Sequence, residues 1–204
     1  MRVAALMRHG EPQPAPAGRS MHDDRNRALT ELGCRQAQAA RAWLDGLKPV
    51  AVICSDAPRC VETARIAGAP LQPHVVPDLA GLRLGVWEQR PLATMRPQIV
   101  RMIRGEIPAP EGAETPAQLF ARASRALRAA LPQTGNVLVV AHRLTNAVLL
   151  GDALGVVPAD SLRIPQDHAN VSLLSLDDTR DQVLAVNVTP LDPLRLGADE
   201  VEDL

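Results

Sequence analysis

Short apolar runs alternate with longer amphipathic segments along most of the chain. Val3 to Met7, Val50 to Cys54 and Val137 to Ala141 are nearly continuous apolar runs of strand length. Such runs are typical of parallel strands that are buried on both faces of a sheet. The alternation predicts an α/β domain with a mostly parallel sheet, and a length of 204 residues suits a single domain.

Capping residues mark where the helices of this domain begin. Thr30 precedes a helix whose apolar stripe we expect to include Leu32, Trp43 and Leu44. Thr115 and Gln118 have the spacing of a capping box. The predicted helices begin after Thr30, at Ser55–Asp56, at Leu92, at Thr115 and at Thr145.

Weaker patterns complete the chain. Three more short strands are predicted, at 74–76, 171–176 and 183–188, and loops are predicted at 12–27 and 78–91. From about Pro190 the sequence contains proline, glycine and four acidic residues. We therefore expect one domain over residues 1–189 and an acidic, loosely attached tail over 190–204.

The charge and the apolar runs limit the partners. Lys and Arg number 22 against 23 Asp and Glu, so the net charge of −1 gives no general attraction for nucleic acid or an anionic membrane. No apolar run is long enough to cross a membrane, and the run at 3–7 is too short for the core of a signal peptide. We expect a cytoplasmic protein, in which Cys34, Cys54 and Cys60 remain reduced.

Four chemically active side chains follow the predicted strands. Arg8 and His9 end the first strand, His142 ends the strand at 137–141, and Arg59 lies in the first turns of the helix after the second strand. Ligands bind outside the carboxyl ends of parallel strands in open α/β sheets. Two arginines and two histidines that meet there suit a phosphoryl group.

These residues predict a division of roles. His9 is the expected nucleophile, because a neutral imidazole can attack phosphorus and form a phosphohistidine that water hydrolyses. Arg8 and Arg59 would hold the phosphate oxygens, and His142 would donate a further hydrogen bond, without a metal or other cofactor. The remaining histidines, His22, His74 and His168, show no partner pattern.

The same residues resemble a known family, the histidine phosphatase superfamily, also called phosphoglycerate-mutase-like. The resemblance starts with Leu6-Met7-Arg8-His9-Gly10-Glu11, which is similar to the Arg-His-Gly motif of that family. Further similar segments follow in the family's order over residues 2–176: Leu29-Thr30-Glu31-Leu32-Gly33, Ser55 with Arg59 and Thr63-Ala64, Gly85-x-Trp87-Glu88, Gly112-Ala113-Glu114-Thr115, and Val139-Val140-Ala141-His142.

The resemblance implies a fold and a mechanism. The fold is a single-domain three-layer α/β/α sandwich, and the mechanism is a metal-free phosphohistidine reaction carried by His9, with Arg8, Arg59 and His142 around the phosphate. The resemblance also adds Gly10 of the motif to the substrate-binding residues.

This sequence departs from the family at three positions. Gly81 stands where family members have the glutamate that serves as proton donor. Three explanations are open: another carboxylate, such as Glu88 or Glu11, donates the proton; the leaving group needs little protonation; or turnover is slow. Ala15 stands where the family has a phosphate-contacting Asn. Arg143 replaces the glycine after the second histidine, and its side chain in the pocket would favour a more anionic substrate.

We therefore expect a phosphoric monoester hydrolase of the histidine acid phosphatase type, acting on a small phosphorylated metabolite. The alternatives are a pseudophosphatase that binds a phosphorylated ligand or partner and, less favoured because of Gly81, a phosphoglycerate mutase. The sequence leaves open whether the protein is a monomer or a homodimer.

Overall fold

The computed structural model describes residues 2–14, 18, 20, 26–176 and 181–190. The predicted tail at 190–204, apart from Pro190, lies outside these residues, as do Ala15 and His22. The strands are β1 (Arg2–Arg8), β2 (Pro49–Cys54), β3 (Pro73–Val75), β4 (Asn136–Ala141), β5 (Val171–Leu176) and β6 (Gln182–Val188). The helices are α1 (Glu31–Leu44), α2 (Pro58–Ala67), α3 (Leu92–Ile103), α4 (Pro116–Ala130) and α5 (Arg143–Leu154), with short 3₁₀ helices at Pro77–Leu79, Gly85–Gln89 and Pro158–Arg163.

The six strands form one sheet in the order β3-β2-β4-β1-β5-β6. The first four strands in this order pair in parallel, whereas β5 is antiparallel to both β1 and β6. The predicted mostly parallel sheet is confirmed. Because β4 inserts between β1 and β2, the order of the strands reverses beside β1, which is where an open α/β sheet leaves a crevice for ligand.

Alternate residues of the central strands pack into two separate cores. On one face Leu6 and Val139 pack with side chains of α4 and α5. On the other face Met7 and Val140 pack with side chains of α1 and α2. Strands that are buried on both faces need helices on both sides, so the fold is the three-layer α/β/α sandwich that the resemblance implied.

The helix caps confirm two of the predicted starts. Thr30 accepts a hydrogen bond from the Gly33 amide, and Thr115 and Gln118 form the complete capping box. The expected stripe of α1 is partly wrong, because Leu32 and Trp43 are 40% and 36% exposed. Leu44 and Ala40 of the expected stripe are buried, and the small residues Ala37 and Ala40 allow α1 to approach the sheet closely.

Helix α5 begins two residues earlier than predicted. His142 is the N-cap residue, so the helix starts at Arg143 and its amino-terminal end lies at the carboxyl edge of β4. None of the helices in the described residues is long and apolar enough to cross a membrane.

Candidate active site

The ends of β1 and β4 bring the two predicted histidines together. The strands are adjacent and parallel, with Arg8 in register with Ala141, and the His9 amide donates to the Ala141 carbonyl at 3.1 Å. The ring centres of His9 and His142 are 5.5 Å apart in an edge-to-face arrangement. Both side chains are buried.

Arg59, in the first turn of α2, bridges the two histidines. Its Nε donates to His9 Nε2 at 3.1 Å, and its Nη2 lies 3.3 Å from His142 Nδ1. A guanidinium has donors but no acceptor, so both ring nitrogens accept these hydrogen bonds. One lone pair from each imidazole therefore faces the same cationic group.

The protonation of His9 follows from its other contact. Its Nδ1 lies 2.8 Å from the Gly10 carbonyl, which can only accept, so Nδ1 carries the proton and Nε2 carries the lone pair. Burial, and then the neighbouring His142, Arg59 and Arg8, hold the pKa of His9 well below the ordinary histidine value. The neutral imidazole is the form that can act as a nucleophile.

His142 has the opposite tautomer. Its Nδ1 accepts from Arg59, so its Nε2 carries the proton and donates to Ser55 Oγ at 2.9 Å. The Ser55 hydroxyl can then donate to Asp56 Oδ1 at 3.3 Å. Ser55, the first residue after β2, thus fixes the orientation of the second histidine, a role that the sequence spacing alone did not reveal.

Gly10 supports the site differently from the expectation. Its amide donates to Thr63 Oγ1 at 2.9 Å, and the Thr63 hydroxyl donates to the Arg59 carbonyl at 2.7 Å. In this arrangement the Gly10 amide joins the end of β1 to α2. A Cβ atom at Gly10 would lie 2.6 Å from the Gly33 carbonyl oxygen of α1, so only glycine fits there.

Arg8 is held by residues that precede β5. Its Nη1 donates to the Gln166 carbonyl and its Nη2 to His168 Nε2, each at 2.7 Å. His168, which shows no partner pattern in the sequence, is therefore a hydrogen-bonding residue, and its ring centre is also 5.5 Å from that of His9. The antiparallel pairing of β1 with β5 brings it there, and no local motif around 168 indicates that pairing.

The loop that carries Gly81 lies over His142. A Cβ atom at Gly81 would be 3.6 Å from His142 Cγ, an ordinary contact distance, so a side chain could be accommodated there. Buried Arg122 of α4 holds the loop by donating to the carbonyls of Asp78 and Gly81 at 2.7 and 3.1 Å. Arg122 is itself bound by two 2.7 Å hydrogen bonds to Glu114.

The two candidate substitutes for the missing glutamate are placed differently. Glu88 accepts from the Leu84 amide at 2.9 Å and is not among the described residues that line the cleft above His9. Glu11 does line this cleft, and its Oε1 accepts from the Thr30 hydroxyl at 2.8 Å.

The cleft above His9 has a volume of about 790 Å³. Arg8, His9, Arg59, His168 and Arg143 line it, whereas His142 is not among its described lining residues. In the described parts of the chain no group of three or more His, Cys, Asp or Glu side chains is arranged to hold a metal ion. The guanidinium and imidazole groups at this site suit an anion with several oxygens.

An α/β sandwich with paired histidines and arginines at the carboxyl ends of adjacent parallel strands defines a class of phosphate-handling proteins. Residues 4–189 match the histidine phosphatase superfamily (branch 1), and the chain belongs to that family.

Named relatives and a solved structure are similar over most of the chain. A protein named "Probable phosphoglycerate mutase GpmB" from Yersinia enterocolitica is 28% identical over 85% of this chain and 85% of its own length. A protein of the same name from Proteus mirabilis is 30% identical over 82% of this chain and 81% of its own length. The structure of a mycobacterial glucosyl-3-phosphoglycerate phosphatase is 25% identical with a TM-score of 0.74, covering 93% of this chain and all of that one.

Proposed function

We propose that the protein is a phosphomonoesterase that hydrolyses a small phosphorylated metabolite through a phosphohistidine on His9. The bridge of Arg59 between His9 Nε2 and His142 Nδ1 carries this proposal. The lone pairs of both imidazoles and the Arg59 guanidinium meet at one point. A phosphoryl group that enters there can replace the contacts between the guanidinium and the ring nitrogens with contacts of its own to both.

The reaction has two displacements. The His9 Nε2 lone pair attacks phosphorus, the ester P–O bond breaks, and the alcohol leaves as it takes up a proton. Water then attacks the phosphohistidine, the P–N bond breaks, and His9 is restored with release of inorganic phosphate and one proton. The hydrogen bond from Nδ1 to the Gly10 carbonyl keeps Nε2 directed at the phosphorus in both steps.

The surrounding charges stabilise the transferring group. Arg8 and Arg59 can donate charge-assisted hydrogen bonds to its oxygens, and the amino-terminal end of α5 adds the positive end of a helix dipole at the same place. His142 Nδ1 faces this point, and proton uptake beside the phosphate dianion turns it from acceptor into donor. None of these contributions requires a metal ion.

Protonation of the leaving group is the weak step. Gly81 provides no acid at the position beside His142, and the Glu88 carboxylate is engaged by the Leu84 amide at 2.9 Å. Glu11 is the carboxylate that the cleft does offer. We therefore expect fast reaction with phosphate esters whose alcohol leaves easily, and slow reaction with ordinary alkyl esters.

The names of the relatives favour a second candidate, a phosphoglycerate mutase. A mutase returns the phosphoryl group from His9 to a second hydroxyl of the substrate, whereas a phosphatase gives it to water. Assays with 3-phosphoglycerate, read for the isomer and for inorganic phosphate separately, distinguish the two activities.

Steady-state hydrolysis of para-nitrophenyl phosphate tests the phosphatase directly, because its leaving group scarcely needs an acid. Wild type is compared with His9→Ala between about pH 5 and 8, with and without EDTA. We expect hydrolysis that survives EDTA and is lost in His9→Ala. Activity that persists in His9→Ala contradicts the proposal, whereas phosphate binding without turnover in the wild type indicates the pseudophosphatase.

A further inference from the structure

Most of the residues that line the cleft beyond the phosphate-binding groups are apolar. They come from the loop before the 85–89 3₁₀ helix, from α3, from the start of α5 and from the 3₁₀ helix at 158–163. This apolar wall consists of Leu82, Leu84, Leu92, Ile99, Val100, Ile103, Leu144 and Leu162. Leu32 of α1, which is 40% exposed, lines the same cleft.

The apolar wall is not part of the hydrophobic core. Ile103 is buried, but the other members of the wall are only half-buried, and they do not belong to either core cluster of the sandwich. A contiguous set of partly exposed apolar side chains inside a cleft is typical of a ligand-binding surface. A phosphate alone would leave this surface uncovered.

We propose that the substrate is a phosphomonoester whose leaving group is large and apolar, with that group packed against the apolar wall. The inference rests on the proposed function, because it takes the phosphate to lie beside His9. An aromatic alcohol fits both features of the cleft. Its flat apolar face can pack against α3, and a phenol can leave without the proton donor that is missing at position 81.

Two charged residues share this part of the cleft. Arg96 and Arg143 line it among the apolar side chains, so a small ester with a second anionic group is the competing ligand. The methylene stems of both arginines can extend the apolar surface, whereas their guanidinium groups would attract a carboxylate. Phosphoglycolate is the probe for this competing ligand.

A matched pair of substrates separates apolar contact from leaving-group chemistry. Phenyl phosphate and naphthyl phosphate release phenols of similar acidity but differ by one fused ring. We expect kcat/KM for naphthyl phosphate to exceed that for phenyl phosphate by about tenfold. A ratio near one, or a higher kcat/KM for phosphoglycolate than for naphthyl phosphate, overturns the inference.

Variants of the wall locate the effect. Val100→Thr adds a hydroxyl at nearly constant volume, and Leu84→Asn replaces a branched apolar side chain by a polar one with the same branching; we expect each to lower the naphthyl-to-phenyl ratio by about threefold or more. Val157→Thr makes the same change at a valine that is 59% exposed and does not line the cleft, so it should leave the ratio unchanged. A poorly folded variant loses both activities together, whereas the inference requires selective loss of the naphthyl ester.

Binding to His9→Ala keeps the inference distinct from the proposed function. Calorimetry on this variant should show naphthyl phosphate binding more tightly than phenyl phosphate, with a more negative heat-capacity change. Equal binding of both esters contradicts the apolar wall even if the wild type hydrolyses para-nitrophenyl phosphate. Preferential naphthyl binding by an enzyme that shows no His9-dependent hydrolysis contradicts the catalytic proposal alone.

Discussion

At the scale of single residues, the site depends on which nitrogen of each histidine carries the proton. The Gly10 carbonyl fixes the proton of His9 on Nδ1, and Ser55 receives the proton that His142 carries on Nε2. Arg59 faces the two remaining lone pairs. Hydrogen bonds to the Gly10 carbonyl and to Ser55 therefore decide which nitrogen of His9 and of His142 faces Arg59.

Gly81 provides a test of the missing acid. Gly81→Glu should raise kcat for glycerol phosphate by about tenfold or more, because a carboxyl group beside His142 can protonate an alkoxide. The rate with para-nitrophenyl phosphate should change little, since that leaving group needs no proton. Kinetics with the two esters measure the difference.

Gly81→Ala is the matched control, because its Cβ fits at 3.6 Å from His142 without supplying an acid. It should behave as the wild type with both esters. If Gly81→Glu accelerates neither ester, or accelerates both equally, then the missing carboxyl group at this position does not limit protonation of the leaving group.

At the scale of elements, the strand ends place the reacting groups and a buried ion pair holds the loop above them. Arg122 of α4 joins the carbonyls of Asp78 and Gly81 to Glu114, which precedes the same helix. Burial acts to raise the pKa of Glu114, but hydrogen bonds from Arg122 and the Arg83 amide outweigh it and lower that pKa below the ordinary value. Glu114 is therefore ionised at neutral pH and pairs with Arg122.

Breaking this pair from one side should cost more than removing both partners. Arg122→Met removes the two shortest hydrogen bonds to the Glu114 carboxylate and leaves its longer contacts to Arg83, and we expect it to lower the free energy of unfolding by about 3 kcal/mol. The double variant Arg122→Met with Glu114→Gln should recover part of that loss. Urea denaturation of the wild type, Arg122→Met and the double variant measures both values, and a double variant less stable than Arg122→Met would contradict the pairing.

The sequence predicts elements better than the contacts between them. The caps at Thr30 and Thr115 and the apolar runs of β1 and β4 are local patterns, and the structure confirms them. The position of His168 beside Arg8 depends instead on the pairing of strands that are far apart in the chain. The prediction that Leu32 packs in the core is wrong for a related reason. An apolar stripe along a helix does not show whether that side of the helix faces the core or a cleft.

At the scale of the whole molecule, the buried imidazole of His9 couples folding to pH. The native pKa of His9 is lowered below the value that an unfolded chain gives, so below about pH 6.5 the unfolded state binds more protons at this residue. His9 therefore lowers the free energy of unfolding as the pH falls through the pKa that this residue has in the unfolded chain. It has no such effect above that pH, where the residue is neutral in both states.

Replacing His9 should make stability less sensitive to acid. We expect His9→Gln to lose less unfolding free energy than the wild type between about pH 7 and pH 5. Other acid-labile groups, including Glu114, contribute equally to both proteins and cancel in the comparison. Equal acid sensitivity of the two proteins would mean that His9 is protonated as readily in the native state as in the unfolded chain.

The most direct test of the account is to trap the covalent enzyme. Wild type is mixed with excess para-nitrophenyl phosphate, quenched in alkali during turnover, digested and mapped by mass spectrometry, with His9→Ala treated in parallel. We predict one phosphoryl group on the peptide that contains His9, located on that side chain and absent from the variant. A phosphoryl group on another residue, or burst release of nitrophenol with no phosphorylated His9, would contradict it.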